Sequence, residues 1–136
     1  MTVLAMLENV NDTRSVTWLH GAQNGNLHAY QDRLRYQASV RQGKLQRRVW
    51  YSNPTSEDGE PACLSLSSND YNTAKYHYKG RMDLLALEGS GDAVVLNLSH
   101  SAANYFLCGP EAFMEAQADA LVALGVDCTR IHSEGF

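Results

Sequence analysis

The sequence predicts an α/β fold in which a parallel sheet carries helices on both faces. Two observations support this prediction. Runs rich in β-branched and aromatic residues alternate along the chain with segments whose apolar residues recur at helical spacing. Glycine, proline and asparagine separate many of these segments, as expected for turns between strands and helices. Such an alternation is typical of parallel sheets, because the crossover helices cover the sheet.

The first part of the chain is predicted to contain two helices and two strands. Residues 1–11 have apolar residues near helical spacing, but no N-cap residue and no strand precede them in the sequence. A strand is predicted at 14–22, a helix at 27–40 that ends at Gly43, and a second strand at 45–52. The apolar face of the helix at 27–40 is predicted to carry four residues: Leu27, Tyr30, Leu34 and Ala38.

The middle of the chain is loop-like over residues 53–79, with one short candidate strand at 62–67. A loop this long indicates either an excursion with a function or a mobile insert. Beyond it the sequence predicts a short helix at 80–89, a strand or extended connector at 92–99, a strand at 103–109, a helix at 110–124 and a last strand at 129–136. Gly125 is expected to end the helix at 110–124 as a left-handed cap. The core stripe of that helix is predicted to be Phe113, Met114, Ala118, Leu121 and Val122.

Composition and charge argue against several classes of protein. The 136 residues suffice for one domain, and the net charge of -4 without a basic patch argues against nucleic-acid or anionic-membrane partners. No apolar run approaches the roughly 20 residues that span a bilayer, and the N-terminus lacks a signal-peptide pattern. Three cysteines without a CxxC pair fit a reducing cytoplasm. No HExxH, CxxC or paired-histidine pattern indicates a metal site, and no G-x-S-x-G elbow indicates a hydrolase.

The predicted strand ends are the candidate binding sites, because ligands of parallel sheets bind at the carboxyl ends of strands. At one of these ends, Pro110 suits the first helical position, and Gly109 lets the backbone turn and a ligand approach. Glu111 would repel a phosphate at this helix end, so the corner suits a neutral, flat group. The same pattern also fits a strand-to-helix turn with a buried Cys108 and no ligand. Three strand ends are predicted: His20-Gly21-Ala22, Tyr51-Ser52-Asn53 and Cys108-Gly109-Pro110.

The order of these segments resembles a known family. The last third, "ANYFLCGPEAFMEAQADALVALGVDCTRIHSEGF", resembles the end of the nicotinamide-binding domain of the ferredoxin–NADP reductase superfamily, where a Cys-Gly-Pro corner closes the penultimate strand. The segments "VTWLHGAQNGNLHAYQDRL", "VWYSNPTSED", "YKGRMDLLAL" and "RIHSEGF" are similar to the reductase end of bacterial flavohemoglobins, the nitric oxide dioxygenases. The resemblance covers nearly the whole chain and is weakest over residues 57–76.

The resemblance implies a three-part oxidoreductase in which electrons pass from NADH to FAD to heme, and nitric oxide becomes nitrate. The chain would supply the NAD(P)H-binding part, and the FAD-binding and globin domains of the same protein would be its partners. By resemblance, Cys108 and Glu134 are the expected catalytic residues, Glu134 being a carboxylate that tunes the redox centres. Phe136 matches an aromatic residue that covers the flavin ring. The implied cofactor-binding residues are His20, Gly21, Ala22, Asn24, Cys108, Gly109, Pro110, Phe113, Met114, Gly135 and Phe136.

The sequence departs from the family at the phosphate-binding loop. The family's first strand and Gly-Gly-x-Gly-x-Thr-Pro loop should lie just before the segment that matches residues 3–7, and they are absent. We therefore expect residues 1–136 to be a partial, N-terminally truncated domain that holds no cofactor tightly and is inactive alone. Loss of a central strand would leave unpaired sheet edges. Either residues 62–67 or 92–99 fill the gap, or two chains self-associate through these edges.

Two alternative functions remain open from the sequence. The chain could belong to another reductase of the superfamily, joined to a different acceptor domain, because the corner and the C-terminal segment would look similar. It could also be a truncated, non-catalytic module, an interpretation that rests on the missing phosphate loop. NADH is favoured over NADPH, because no arginine stands beside the strand end at His20-Gly21-Ala22, although the usual ribose-binding Asp or Glu is missing there too.

Overall fold

The chain divides into two compact units, Met1–Met82 and Asp83–Phe136, and each unit contains one parallel sheet. Parallel strands and helices are found in both units, so the predicted α/β class is confirmed. The predicted helix at 1–11, the helix end at Gly43 and residues 93–95 of the segment 92–99 lie outside the described part of the chain. The computed structural model describes residues 14–41, 44–90, 92 and 96–134.

The first unit is built on a three-stranded sheet with the order β1-β2-β3. Strands β1 (Val16–Ala22) and β2 (Leu45–Tyr51) are parallel and pair along their whole length. Strand β3 (Tyr78–Lys79) adds a short parallel edge on the other side of β2. Six of the seven residues of β2 are buried, as expected for a central strand that is covered on both faces.

Helix α1 (Gln31–Val40) packs on one face of this sheet through Leu34 and Ala38, which lie against Trp18 and Leu45. The sequence predicted that this helix begins at residue 27, but it begins at Gln31. A 3-10 turn over Gly25–Leu27 precedes it, and Tyr30 has a left-handed φ of 59°. Leu27 and Tyr30 therefore precede the helix and are exposed, so their predicted place in the core is wrong.

The segment 53–79 contains regular structure that the sequence did not predict. Helix α2 (Ser68–Thr73) and strand β3 lie within it. The strand predicted at 62–67 is wrong: these residues form a turn, and Leu64 and Leu66 are 52% and 47% exposed. Helix α2 has no apolar stripe and begins instead at a cap, where the Ser67 side chain accepts a hydrogen bond from the Asp70 N–H.

Side chains complete part of the outer edge of β2, where a longer neighbouring strand would otherwise lie. The buried Asn72 accepts the Arg47 backbone N–H at 2.6 Å and donates its amide to the Leu45 carbonyl at 2.7 Å. Two residues along, His77 Nδ1 accepts the Val49 N–H at 3.0 Å, which places the ring proton on Nε2. The backbone groups of this edge are therefore hydrogen-bonded before β3 begins.

The described residues of the second unit form a two-stranded parallel sheet, two α-helices and a 3-10 helix at Cys128–Arg130. Its elements are α3 (Leu84–Glu88), β4 (Tyr105–Cys108), α4 (Glu111–Ala123) and β5 (Ile131–Glu134). The two strands pair from Tyr105 opposite Ile131 to Cys108 opposite Glu134. Of the segment 92–99, the residues that the structure describes, 92 and 96–99, belong to no strand.

Helix α4 ends as predicted, at a left-handed glycine. Gly125 has a φ of 97°, and the Val126 N–H bonds back to the Leu121 carbonyl at 3.0 Å, which satisfies a carbonyl of the last turn. Leu121 is buried as predicted, but Val122 is 52% exposed, so its place in the core stripe is wrong. Gln117, one turn before Leu121, is buried instead. The remaining predicted stripe residues are half-buried: Phe113, Met114 and Ala118.

Candidate functional site

The loops that follow the three strands of the first unit meet at the carboxyl edge of its sheet, because the strands are mutually parallel. The Ser52 N–H donates to the Ala22 carbonyl at 3.0 Å, and the Asn53 N–H donates to the Gln23 carbonyl at 2.8 Å. These bonds join the loop after β1 to the loop after β2. Four residues predicted to bind a cofactor lie at or beside this edge: His20, Gly21, Ala22 and Asn24.

These four residues differ in their surroundings. His20 is half-buried and stacks on the His28 ring, with centroids 4.6 Å apart. Ala22 is half-buried on the same face of β1, while Gly21 is exposed and faces the other way. An added Cβ at Gly21 would make ordinary van der Waals contact with the Met82 side chain, at 4.0 Å, so Met82 lies beside the exposed Gly21 backbone. The Asn24 side chain accepts the Asn26 N–H at 2.9 Å and caps the following 3-10 turn.

A row of aromatic rings in contact runs from His20 towards the interior of the first unit. His28 Nδ1 lies 2.8 Å from the Tyr51 hydroxyl, and the Tyr51 ring stacks on Tyr76 with centroids 4.5 Å apart. The Tyr76 hydroxyl donates to the Gly59 carbonyl at 2.6 Å. The sequence analysis singled out neither His28 nor Tyr76, because no local pattern links them to the strand ends.

The rings of this stack are held in their uncharged forms. Burial lowers the pKa of His28 to about 3, and the positive charges of Arg47 and its neighbours act in the same direction. Burial also lowers the pKa of His20, with a further contribution from Arg47. Burial raises the pKa of Tyr51 to about 12. His28, Tyr51 and Tyr76 are buried, so the partly exposed surface of this stack at the edge is the neutral His20 ring, which suits a flat, uncharged ring.

A buried carboxylate joins the loops of this edge. Asp58 accepts the Gly25 N–H with both oxygens, at 3.2 and 3.3 Å, and the Thr55 N–H at 2.8 Å. Lys75 Nζ lies 2.8 Å from Asp58 Oδ1, and this partner above all lowers the pKa of Asp58 to about 2. The sequence analysis did not identify Asp58. Its signal is the spacing Thr55-x-x-Asp58, which is typical of a capped turn but says nothing of Gly25.

The corner predicted at Cys108-Gly109-Pro110 lies in the second unit, at the carboxyl end of β4. Cys108 is the last residue of the strand and is half-buried. Pro110 stands at the N-cap and not at the first helical position, and its carbonyl accepts the Met114 N–H at 3.0 Å. Glu111 is the first helical residue and is exposed, so a negative charge lies at this helix end, as the sequence predicted.

Gly109 permits a close contact within the corner itself. An added Cβ would lie 2.9 Å from Cδ1 of Phe113, closer than real Cβ atoms approach, and φ is 152°. The sequence analysis explained Gly109 by the turn and by the approach of a ligand. The structure adds that the Phe113 ring occupies the space beside it. Phe113 and Met114 are both half-buried, one turn into α4.

The remaining predicted residues follow β5. Glu134 is the last residue of that strand, and its backbone lies opposite Cys108 in the parallel register. The structure thus brings the two predicted catalytic positions side by side at the ends of β4 and β5. Gly135 and Phe136 lie outside the described residues. Residues His20–Asn24 belong to the first unit, and Cys108 and Glu134 belong to the second.

The chemistry of the two groups fits some parts of a nicotinamide dinucleotide better than others. The neutral, half-buried His20 ring suits the adenine ring, whereas Glu111 disfavours a phosphate at the start of α4 and favours an uncharged ring there. Among the described residues, no group of three His, Cys, Asp or Glu side chains could hold a metal ion. In the same part of the chain, no helix is both long and apolar enough to cross a membrane.

Residues 1–119 match the family model of the oxidoreductase NAD-binding domain. The flavohemoprotein of Bordetella pertussis is 31% identical over 136 residues, which cover 100% of this chain and 29% of that protein. The flavohemoprotein of Rhizobium meliloti is 32% identical, over 98% of this chain and 29% of its own length. The chain thus spans less than a third of the length of these curated relatives. Because the family model covers most of its residues, the chain belongs to the oxidoreductase NAD-binding domain family.

Proposed function

We propose that this chain is the nicotinamide-binding part of a flavohemoprotein, which passes electrons from NADH to FAD and then to heme for nitric oxide dioxygenation. The observation that carries the proposal is the corner at Cys108, which ends β4 opposite Glu134 in a chain of the NAD-binding family. The similarity to flavohemoproteins along the whole chain supports the choice of electron acceptors. FAD and heme would be held by other domains, which would be the partners of this one.

The nicotinamide end of the coenzyme is proposed to lie against Cys108, Gly109 and Pro110. This corner offers an exposed helix start and a half-buried thiol, and Glu111 favours an uncharged ring over a phosphate. Glu134 would stand beside the same ring, since its backbone lies opposite Cys108. Phe113 and Met114 would support the corner from the first turn of α4.

The adenosine end of the coenzyme is proposed to lie at the carboxyl edge of the first unit, from His20 to Asn24. The half-buried, neutral ring of His20, which stacks on the buried His28, favours a flat purine there. Gly21 is exposed on the opposite face of β1, beside the Met82 side chain, and its backbone would lie against the ribose.

The proposed coenzyme is NADH and not NADPH, because cations near this edge are already committed. The Arg47 guanidinium is buried and donates to the backbone carbonyls of Asn72 and Lys75, each at 3.3 Å. Lys75 is paired with Asp58, and Arg35 Nε donates to the Thr73 carbonyl at 2.8 Å. Arg47 and Lys75 are thus engaged within the protein, which disfavours a 2′-phosphate at this edge.

Binding of NADH to this chain alone is proposed to be weak. The sequence contains no Gly-Gly-x-Gly-x-Thr-Pro loop to hold the pyrophosphate, and that loop supplies backbone N–H donors at a helix N-terminus in dinucleotide-binding folds. Glu111 makes the start of α4 a poor substitute. A Kd of about 1 mM, equivalent to about 4 kcal/mol of binding free energy, is the order expected.

Titration of the isotopically labelled chain with NADH, followed by amide chemical shifts, tests this proposal. Saturable shifts are expected at two groups of amides, residues 20–25 and residues 108–113, with weaker effects from NADPH. Chemical-shift mapping detects millimolar binding, so a low affinity does not hide the result. An absence of saturable shifts at both groups would contradict the proposed function.

A cytoplasmic location is part of the proposal. Its support is that Cys63, Cys108 and Cys128 are all free thiols, as expected in a reducing compartment. A soluble electron-transfer protein that oxidises NADH also requires access to the cytoplasmic pool of that coenzyme. Fractionation of cells that produce the native protein would test the location.

A further inference from the structure

The loop after β1 is held by a side chain that the sequence analysis did not identify. Both carboxylate oxygens of Asp58 accept the Gly25 N–H, at 3.2 and 3.3 Å, across 33 positions of sequence. The same carboxylate accepts the Thr55 N–H at 2.8 Å and lies 2.8 Å from Lys75 Nζ. One buried charge therefore ties together the loop after β1, the loop after β2 and the segment that leads into β3.

Gly25 is fitted to this carboxylate. An added Cβ at Gly25 would lie 2.5 Å from Asp58 Oδ1 and 2.6 Å from Lys75 Cε, so only glycine allows the approach. Asn24, next to it, caps the 3-10 turn that Gly25 begins. The conformation of Asn24 and Gly25 is thus set both by the local cap and by Asp58, which lies in another loop.

The Asp58 side chain is buried and is not expected to contact the proposed coenzyme directly. Its side chain is only 2% exposed, and its oxygens are engaged by Gly25, Thr55 and Lys75. We propose that Asp58 is a positioning residue, which sets the affinity for the adenosine end of the coenzyme by holding the Asn24–Gly25 loop in its binding conformation. This inference rests on the proposed function, since it assumes that the adenosine end binds at this loop.

The test compares two small probes, AMP for the adenosine end and nicotinamide mononucleotide for the other end, by amide shift titration of the full chain. Asp58→Ala is expected to weaken AMP binding about tenfold, because only a fraction of loops would hold the binding conformation. Binding of nicotinamide mononucleotide at the Cys108 corner is expected to stay unchanged. A general loss of stability would weaken both probes, so an equal effect on both would overturn the inference.

Matched variants sharpen the result. Glu57→Gln removes the neighbouring, exposed charge and is expected to leave AMP binding unchanged. Asp58→Asn keeps an acceptor for the Gly25 N–H but loses the ion pair with Lys75, so partial recovery relative to Asp58→Ala is expected. Gly25→Ala brings a methyl group against Asp58 and Lys75, so either these side chains or the loop must shift and the contact between Asp58 and Gly25 is weakened. It should therefore weaken AMP binding even if Asp58→Ala fails to fold.

The outcomes distinguish the inference from the function beneath it. If the wild-type chain binds neither NADH nor AMP, the proposed function fails. If the wild-type chain binds AMP, and Asp58→Ala and Gly25→Ala bind it equally well, the positioning role of Asp58 is wrong. If AMP binding alone is weakened by both variants, Asp58 holds the loop as proposed.

Discussion

His28 is a buried histidine with an incompletely hydrogen-bonded ring. Its Nδ1 lies 2.8 Å from the Tyr51 hydroxyl, while Nε2 is buried and has no hydrogen-bond partner among the described residues. The titratable groups that act on it are His20, Arg47, Arg35 and Lys75, and each disfavours a positive charge on the ring. The folded state therefore favours the neutral form of His28.

Because of His28, the free energy of unfolding is expected to decrease as the pH is lowered. The pKa of His28 is about 3 in the folded chain and 6.5 in the unfolded chain, so the unfolded state takes up the proton first. The contribution is fully present above pH 6.5 and is lost as the pH falls towards 3. Between pH 7 and pH 5 the resulting loss of unfolding free energy is roughly 1 kcal/mol after allowance for solvent screening. Urea unfolding of His28→Gln should show a smaller loss over this range.

The control for this prediction is His132→Gln. His132 is exposed on β5, where its ring stacks on Phe106, so its removal should leave the pH dependence close to that of the wild type. An unchanged pH dependence in His28→Gln would show that the buried ring is not the group responsible. The comparison uses the change with pH and not the absolute stability, because replacement of a buried ring also alters packing.

At the scale of single residues, the sequence predicted the site where its parts are adjacent in the chain. Cys108, Gly109 and Pro110 are consecutive, so their turn chemistry was visible without a structure. The bond between Asp58 and Gly25 crosses 33 positions, and the bond between His28 and Tyr51 crosses 23. No local pattern encodes such contacts, because they depend on how the loops of parallel strands meet.

At the scale of elements, Asn72 takes the part of a neighbouring strand along β2. Asn72→Ala would leave the Arg47 N–H and the Leu45 carbonyl without partners in a buried place. Such unpaired groups cost about 1–3 kcal/mol each, so for the two groups a loss of about 2–6 kcal/mol in unfolding free energy is expected. Urea denaturation monitored by circular dichroism would measure it.

Asn69→Ala is the matched control for Asn72→Ala. Asn69 lies on the same short helix, α2, and is exposed, so its replacement should change stability by less than about 0.5 kcal/mol. Equal effects of the two substitutions would mean that helix propensity, and not the edge of β2, governs this segment. A loss confined to Asn72→Ala supports the edge role.

The edge of β2 also explains why one predicted element failed. Residues 62–67 alternate well enough to predict a strand, but a strand needs a free edge to pair with. Asn72, His77 and β3 already occupy the outer edge of β2, and Leu64 and Leu66 are exposed instead. Helix α1 was predicted because its apolar period is local, whereas its start was missed because a 3-10 turn takes the first residues.

At the scale of the whole molecule, each unit has a small sheet, and the sheet of the second unit is the smaller. It has two strands of four residues, and the Phe106 side chain on it is 60% exposed and stacked on His132, with centroids 5.0 Å apart. A two-stranded sheet is marginal in water without further strands or a larger packed face. Addition of protein surface to this sheet would therefore lower its free energy.

A second copy of this chain could supply that surface. The sequence predicted such self-association through sheet edges. Sedimentation velocity over a wide range of concentrations is expected to show a monomer–dimer equilibrium. Phe106→Glu should shift it towards the monomer, because a charge would be buried beside the paired strands. Leu85→Glu is the control, since Leu85 is 52% exposed on α3 and away from the strands. A monomer at every concentration, or equal effects of the two variants, would exclude pairing through β4 and β5 and leave the sheet to be completed by other protein surface.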